Sequence, residues 1–324
     1  MPDAVVMQAV RKTFGPKVAV TDMDLAIRTG SVCAFLGPNG AGKTTTIRMI
    51  MSILFPDSGD IRVLGKASAV ESKDRIGYLP EERGVYRKMK VAPFLAYMGR
   101  LKGLSGAEVK RRVPMWLEKV GLADVAKKKC EELSKGMQQK VQFVASVFHE
   151  PDLIILDEPF SGLDPVNARL LRDLVDEQHR QGRTIIFSTH VMEHAEQLCD
   201  HVLMINRGVK VLDETMAGIR SKFEPHTLIV EPMDEATGIE PFRAAAGLQR
   251  AERVGSAYEM RFDERVSVEE AMRSLFAAGP VRRLEVKRIK LEDVFIELVG
   301  ATGGAGHGNA NESAVKAAAA EVMA

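Results

Sequence analysis

The chain has 324 residues, enough for about two domains. Its 45 Lys and Arg against 44 Asp and Glu leave a net charge of +1, which gives no overall field for nucleic acid or an anionic membrane surface. Cys33, Cys130 and Cys199 stand far apart without metal-ligand spacing and read as reduced core thiols. The start, MPDAVVMQAV, has no charged segment followed by an apolar signal core. No stretch approaches the roughly 18 apolar residues of a spanning helix, so the chain is expected to be soluble or to sit on a membrane through a partner.

In chain order, AVVMQAV, VAVTDMDLAI and SVCAFL read as strands separated by Gly15-Pro16 and Thr29-Gly30. SVCAFLGPNGAGKTTTIRMIMSIL reads as a strand, a Gly-rich loop and a helix. Residues 85–130, rich in helix formers and charge, predict a mostly helical insertion in which Trp116 packs internally. A helix over 134–148 precedes LIILDEP, an apolar run suited to a strand buried on both faces. RTIIFSTH is a further apolar strand, and HVLMINRGVKVLD predicts a hairpin turning at Asn206-Arg207-Gly208. Alternation of this kind implies an α/β core with a parallel sheet.

After about residue 215 the pattern becomes that of a small second α/β unit. HTLIVEPM, YEMRFDE and VRRLEVKR read as strands, and VSVEEAMRSLFAAG and LEDVFIELVG as helices. Beyond Gly300 the chain is small and polar, then Ala-rich. Residues 301–324 are expected to be a disordered tail, with His307 solvated.

The chemistry starts at Gly37, Pro38, Asn39, Gly40, Ala41, Gly42, Lys43 and Thr44, which complete G-x-x-x-x-G-K-[ST] between a predicted strand and a predicted helix. The glycines let backbone N–H groups cradle phosphate oxygens, Lys43 brings a charge to the β and γ phosphates, and Thr44 offers its hydroxyl to Mg²⁺. Thr45 joins this nucleotide-binding run. Paired carboxylates at the end of a buried strand carry a desolvation cost that a solvated turn avoids. Beside a P-loop, Asp157 suits a metal-holding acid and Glu158 a base for the attacking water. Ser134 in LSKGMQQK opens a helix and, with the backbone of Gly136, forms a candidate anion site, although in isolation an ordinary Ser N-cap is the favoured reading.

At this point the sequence resembles an ATP-binding cassette (ABC) ATPase over residues 4–215. GPNGAGKT matches the P-loop, LSKGM resembles the LSGGQ signature, and LIILDEP matches the acidic strand. SGLD matches the loop carrying Asp164, STH supplies the switch histidine His190, and Phe14 in KTFG stands where an aromatic stacks on adenine. The resemblance implies an α/β P-loop NTPase with a parallel-sheet core, an N-terminal antiparallel β subdomain and a helical insertion over about 85–148. A small C-terminal α/β domain over 216–300 would follow. ATP and Mg²⁺ are the implied cofactors, with Thr44, Asp157 and Glu81 toward the metal and Glu158 and His190 catalytic. Ser134, Gly136 and Asp164 would meet the nucleotide of a second cassette, in a homodimer or heterodimer.

Two motifs depart from the family pattern. Lys135 and Met137 replace a glycine and the glutamine of the signature, and Glu81 in IGYLPEERG replaces the glutamine that touches Mg²⁺ and water. Glutamate remains a hard oxygen ligand but adds a negative charge near the phosphates. The build is similar to cassettes that serve bacterial ABC-2 exporters, including sodium-exporter-like ATPases. These act on the cytoplasmic face of the cell membrane through a polytopic permease, with ERGVYRKMKV at the docking position. DNA-repair relatives need coiled coils or zinc insertions, and translation factors need two cassettes; neither pattern occurs here. A soluble regulatory ATPase stays open as the alternative.

Overall fold

The computed structural model describes residues 2–82, 84–223, 226–234, 238–263 and 265–303. The chain divides into two compact units, with boundaries at Met216/Ala217 and Val294/Phe295. The expectations for His307 and for the tail after Gly303 lie outside the described residues.

In the first unit the elements run β1 (Asp3–Phe14), β2 (Lys17–Arg28), β3 (Val32–Leu36), α1 (Lys43–Ile50), β4 (Ser58–Val63) and β5 (Ile76–Leu79). Then come α2 (Val91–Leu101), α3 (Gly106–Lys119), α4 (Lys135–Val147), β6 (Leu153–Asp157), α5 (Pro165–Arg180) and β7 (Thr184–Thr189). The series closes with α6 (Met192–Leu198), β8 (His201–Asn206) and β9 (Val209–Thr215). A three-stranded antiparallel sheet has the order β2-β1-β4, and a six-stranded sheet the order β5-β6-β7-β3-β8-β9.

In the larger sheet the pairs from β5 to β8 are parallel, and only β9 is antiparallel to its neighbour. The apolar runs explain why: β3, β6 and β7 are buried along their whole length, as strands covered on both faces must be. Each fully buried aliphatic side chain, such as Ile155, contributes about 1.5–3 kcal/mol. The β8–β9 turn falls where the sequence predicts it, with positive φ at Arg207 and Gly208.

Helices α2, α3 and α4 form the insertion, with Trp116 buried and the Lys119 ammonium 4.8 Å from its ring centroid. Between α3 and α4 the chain is less helical than its composition predicts: only short 3-10 turns occur at Ala123–Val125 and Cys130–Glu132. Lys129 is drawn instead into an antiparallel bridge with Lys90. The three cysteines are buried and free.

The second unit holds β10 (Thr227–Pro232), β11 (Leu248–Val254), β12 (Ala257–Phe262) and β13 (Val281–Val286) in the antiparallel order β11-β12-β10-β13. Helix α7 (Met216–Phe223) leads into it, and α8 (Val268–Ala278) packs with Phe242 over Leu228, Val230, Met260 and Phe262. Ser267 and Glu270 close a reciprocal cap at the start of α8, a feature worth about 1 kcal/mol. Strand β11 escapes the sequence reading because LQRAERV is an exposed edge of helix-forming residues. The last helix, α9 (Leu291–Gly303), runs three residues past the expected end at Gly300.

Because β6, β7 and β3 are parallel neighbours, their C-terminal ends open on one edge of the sheet. Ligands of such sheets bind at that edge.

Candidate active site

The loop from β3 into α1 is shaped by two glycines. Gly37 has φ 151°, and a Cβ there would lie 2.1 Å from the carbonyl oxygen of Ile205. Gly42 has φ 111°, and its Cβ would meet the Ala19 oxygen at 2.6 Å. Any side chain at either position would push the loop out of place. Asn39 through Thr45, with Phe14, Lys17, Ala19, Glu81 and Glu158, line a cleft of about 320 Å³. Phe14 presents an exposed ring at the cleft wall, with the Lys12 ammonium 5.6 Å from its centroid.

Lys43 is buried. Its Nζ donates to the carbonyls of Gly37 at 2.7 Å and Pro38 at 3.2 Å and lies 3.8 Å from Glu158 Oε1. Burial lowers its pKa, while Glu158, Asp157 and Glu81 act in the opposite sense.

The paired acids share one hydroxyl between them. Ser188 Oγ donates to Asp157 Oδ1 at 2.5 Å and accepts from the backbone N–H of Glu158 at 3.0 Å. Thr44 Oγ1 donates to the same Asp157 oxygen at 3.1 Å. Asp157 Oδ2 is buried with no hydrogen-bond partner among the described residues. Glu158 Oε1 lies 3.0 Å from His190 Nδ1. Glu81, on the loop after β5, has its carboxyl pushed up by burial first and then by the charges of Asp157 and Glu158. The donor set fits a hard divalent cation: a free carboxylate oxygen on Asp157, the Thr44 hydroxyl and a second carboxylate on Glu81.

The structure thus brings Lys43, Thr44, Asp157, Glu158, His190 and Glu81 to one place. Ser134, Gly136 and Asp164 do not line that cleft. Ser134 caps α4 by accepting from the N–H of Met137 at 3.3 Å. Asp164 caps α5, and hydrogen bonds from Asn167 hold its carboxyl below the usual range. Ser188 is the residue that sequence reasoning missed. Its signal was a polar side chain closing an apolar run just before His190.

A Gly-rich loop on a parallel sheet, a buried lysine and paired acids at the end of β6, two strands along from β3, are those of a P-loop NTPase. Residues 20–161 match the family described as ABC transporter, and residues 215–299 match the ATP-binding protein DrrA1-3-like C-terminal domain. The uncharacterized ABC transporter ATP-binding protein YhaQ of Bacillus subtilis is 39% identical over 292 residues, 90% of this chain and 97% of its own. The Nod factor export ATP-binding protein I of Cupriavidus metallidurans is 34% identical, covering 91% of this chain and 96% of that protein. A solved ATP-binding subunit of an ABC transporter superposes with a TM-score of 0.63 at 31% identity, over 68% of this chain and 93% of the other. The chain belongs to the ABC transporter family, as an ATP-binding subunit.

Proposed function

We propose that the protein hydrolyses MgATP as one half of a cassette pair and so drives a separate ABC-2-type permease, exporting its cargo from the cytoplasmic face of the membrane. The observation that carries the hydrolytic part is the linked set Thr44–Asp157–Ser188–Glu158–His190 beside Lys43. The P-loop N–H groups and Lys43 hold the phosphates, and Phe14 packs on the base. Glu158 takes the proton of the attacking water, and His190 orients Glu158. Thr44, Asp157 and Glu81 are the residues that would hold Mg²⁺, which neutralises charge on the phosphates. Ser134 and Gly136 at the start of α4, with Asp164, face the nucleotide of the second cassette, where a helix N-terminus favours an anion.

Three observations support the coupled, exporting role. The relatives include a protein named for Nod factor export. Among the described residues no helix is long and apolar enough to cross a membrane. Residues 84–91 follow Glu81 and carry the half-exposed Tyr86, edge-on to Tyr97 at 5.8 Å, which makes an aromatic surface suited to a permease helix.

The protein should therefore fractionate with membranes only when a polytopic partner is co-expressed. Membrane recovery without any such partner would overturn the coupled reading and leave a regulatory ATPase.

Glu81→Gln should preserve or raise ATP turnover, because it removes a carboxylate whose charge is already disfavoured beside Asp157 and Glu158. Steady-state hydrolysis decides the matter. A tenfold loss, about 1.4 kcal/mol in the barrier, would give the carboxylate a specific part in the reaction.

A further inference from the structure

Glu158 has φ 48°, in the left-handed region that residues other than glycine adopt only under constraint. Such a conformation persists where its surroundings over-determine it. One constraint is already described: its N–H is held by Ser188. A second is that its carbonyl accepts from the N–H of Ser161 at 3.2 Å. The third comes from another element. Gln139 on α4, only 5% exposed, donates its side-chain amide to the carbonyl of Pro159 at 3.0 Å. Pro159 has no N–H, so that carbonyl is the residue's one backbone hydrogen-bonding group.

Three residues further along the same helix face, Gln142 is 6% exposed and donates to the carbonyl of Glu82 at 3.4 Å. The helix that starts at Ser134 is therefore bonded to the residue after Glu158 and to the residue after Glu81. Its first turn also lies against the segment that carries Asp164: a Cβ on Gly136 would sit 3.4 Å from Asn167 Nδ2 and 3.7 Å from Leu163. Gln139 follows Ser134 by five residues, roughly 7.5 Å of helix, so the two move as one rigid piece.

We propose that Gln139 is a positioning residue that fixes the backbone of Glu158 from α4, with Gln142 doing the same for the loop after Glu81. Engagement of Ser134 and Gly136 by the opposite nucleotide is thereby passed along one helix to the hydrolytic carboxylate. This rests on the proposed roles of Glu158 as base and of Ser134 and Gly136 as contacts of the second cassette's nucleotide.

The test compares Gln139→Leu and Gln139→Glu in the full chain. The first deletes the donor and keeps the length; the second is nearly isosteric and turns the donor into an acceptor facing a carbonyl. Both should lower kcat for ATP at least tenfold while the dissociation constant of a fluorescent ATP analogue stays within twofold. Gln178→Leu is the control: Gln178, 1% exposed on α5, makes no side-chain hydrogen bond to either loop among the described residues. It should lower the thermal midpoint as much as Gln139→Leu does and leave kcat within twofold.

Three results would overturn the proposal: unchanged kcat in Gln139→Glu, an equal kcat loss in Gln178→Leu, or nucleotide affinity falling in step with kcat. Should Gln139→Leu fail to fold, Gln139→Glu alone decides. Glu158→Gln runs in parallel to separate the two ideas. If it hydrolyses ATP normally, the base is misassigned, whatever the Gln139 variants do.

Discussion

Glu158→Gln should bind ATP and fail to hydrolyse it. The amide keeps the shape of the carboxylate and its hydrogen bond to His190 but is a far poorer base, and loss of a general base costs about 10²–10⁴ in rate. With nucleotide trapped between the P-loop of one chain and Ser134 and Gly136 of another, the variant should accumulate as an ATP-dependent dimer. Asp157→Asn acts earlier. It exchanges half of a buried carboxylate, whose Oδ2 is free and whose Oδ1 holds Thr44 and Ser188, for an amide that binds a cation poorly. Size-exclusion runs with ATP and Mg²⁺ should show a dimer for Glu158→Gln and little for Asp157→Asn. Normal hydrolysis by Glu158→Gln would move the base to His190 or Glu81. A stalled monomer would direct the experiment to a mixed pair with a different cassette chain.

Lys43→Ala should lose at least a hundredfold in ATP turnover, about 2.7 kcal/mol of transition-state stabilisation. The backbone cradle survives the change, since Gly37 and Gly42 set its shape, but the ammonium next to Glu158 is gone. Three carboxyl groups then face the phosphates without a counter-charge. Folding should be less affected than turnover, because the lysine's short hydrogen bonds run to two carbonyls of its own loop and its ion pair with Glu158 is long, at 3.8 Å. Turnover of the purified variant within a few-fold of the parent would refute the P-loop assignment.

The parts of the site legible in the sequence are those made by contiguous residues. GPNGAGKT carries its own turn chemistry, and LIILDEP joins a buried strand to two acids, so both are readable without a fold. His190 and Phe14 were placed through the family resemblance, since neither is near the P-loop in sequence. The contacts of Ser188 and Gln139 could not be read for a physical reason. Their partners lie 30 or 31 and 20 residues away, and nothing in a lone serine or a helical glutamine says which backbone group it will meet. In the fold, the fully buried strands announced themselves by apolar runs, whereas β4 and β11, mostly exposed, did not. The strain at Glu158 was equally hidden, because a positive φ at a glutamate leaves no compositional trace.

The cleft sets three acids, Asp157, Glu158 and Glu81, around the buried ammonium of Lys43, with Lys17 also on its lining. Fully ionised, the three acids and Lys43 sum to −2, which Lys17 brings to −1, and a polyphosphate brings several negative charges more. Neither bare nucleotide nor bare cation is well matched to it: the first is repelled by the carboxylates, and the second meets them with most of its coordination sphere still water. Together they cancel one another and the site. If the cleft takes MgATP as proposed, its charge balance favours a nucleotide that arrives with its counter-ion over one that arrives alone.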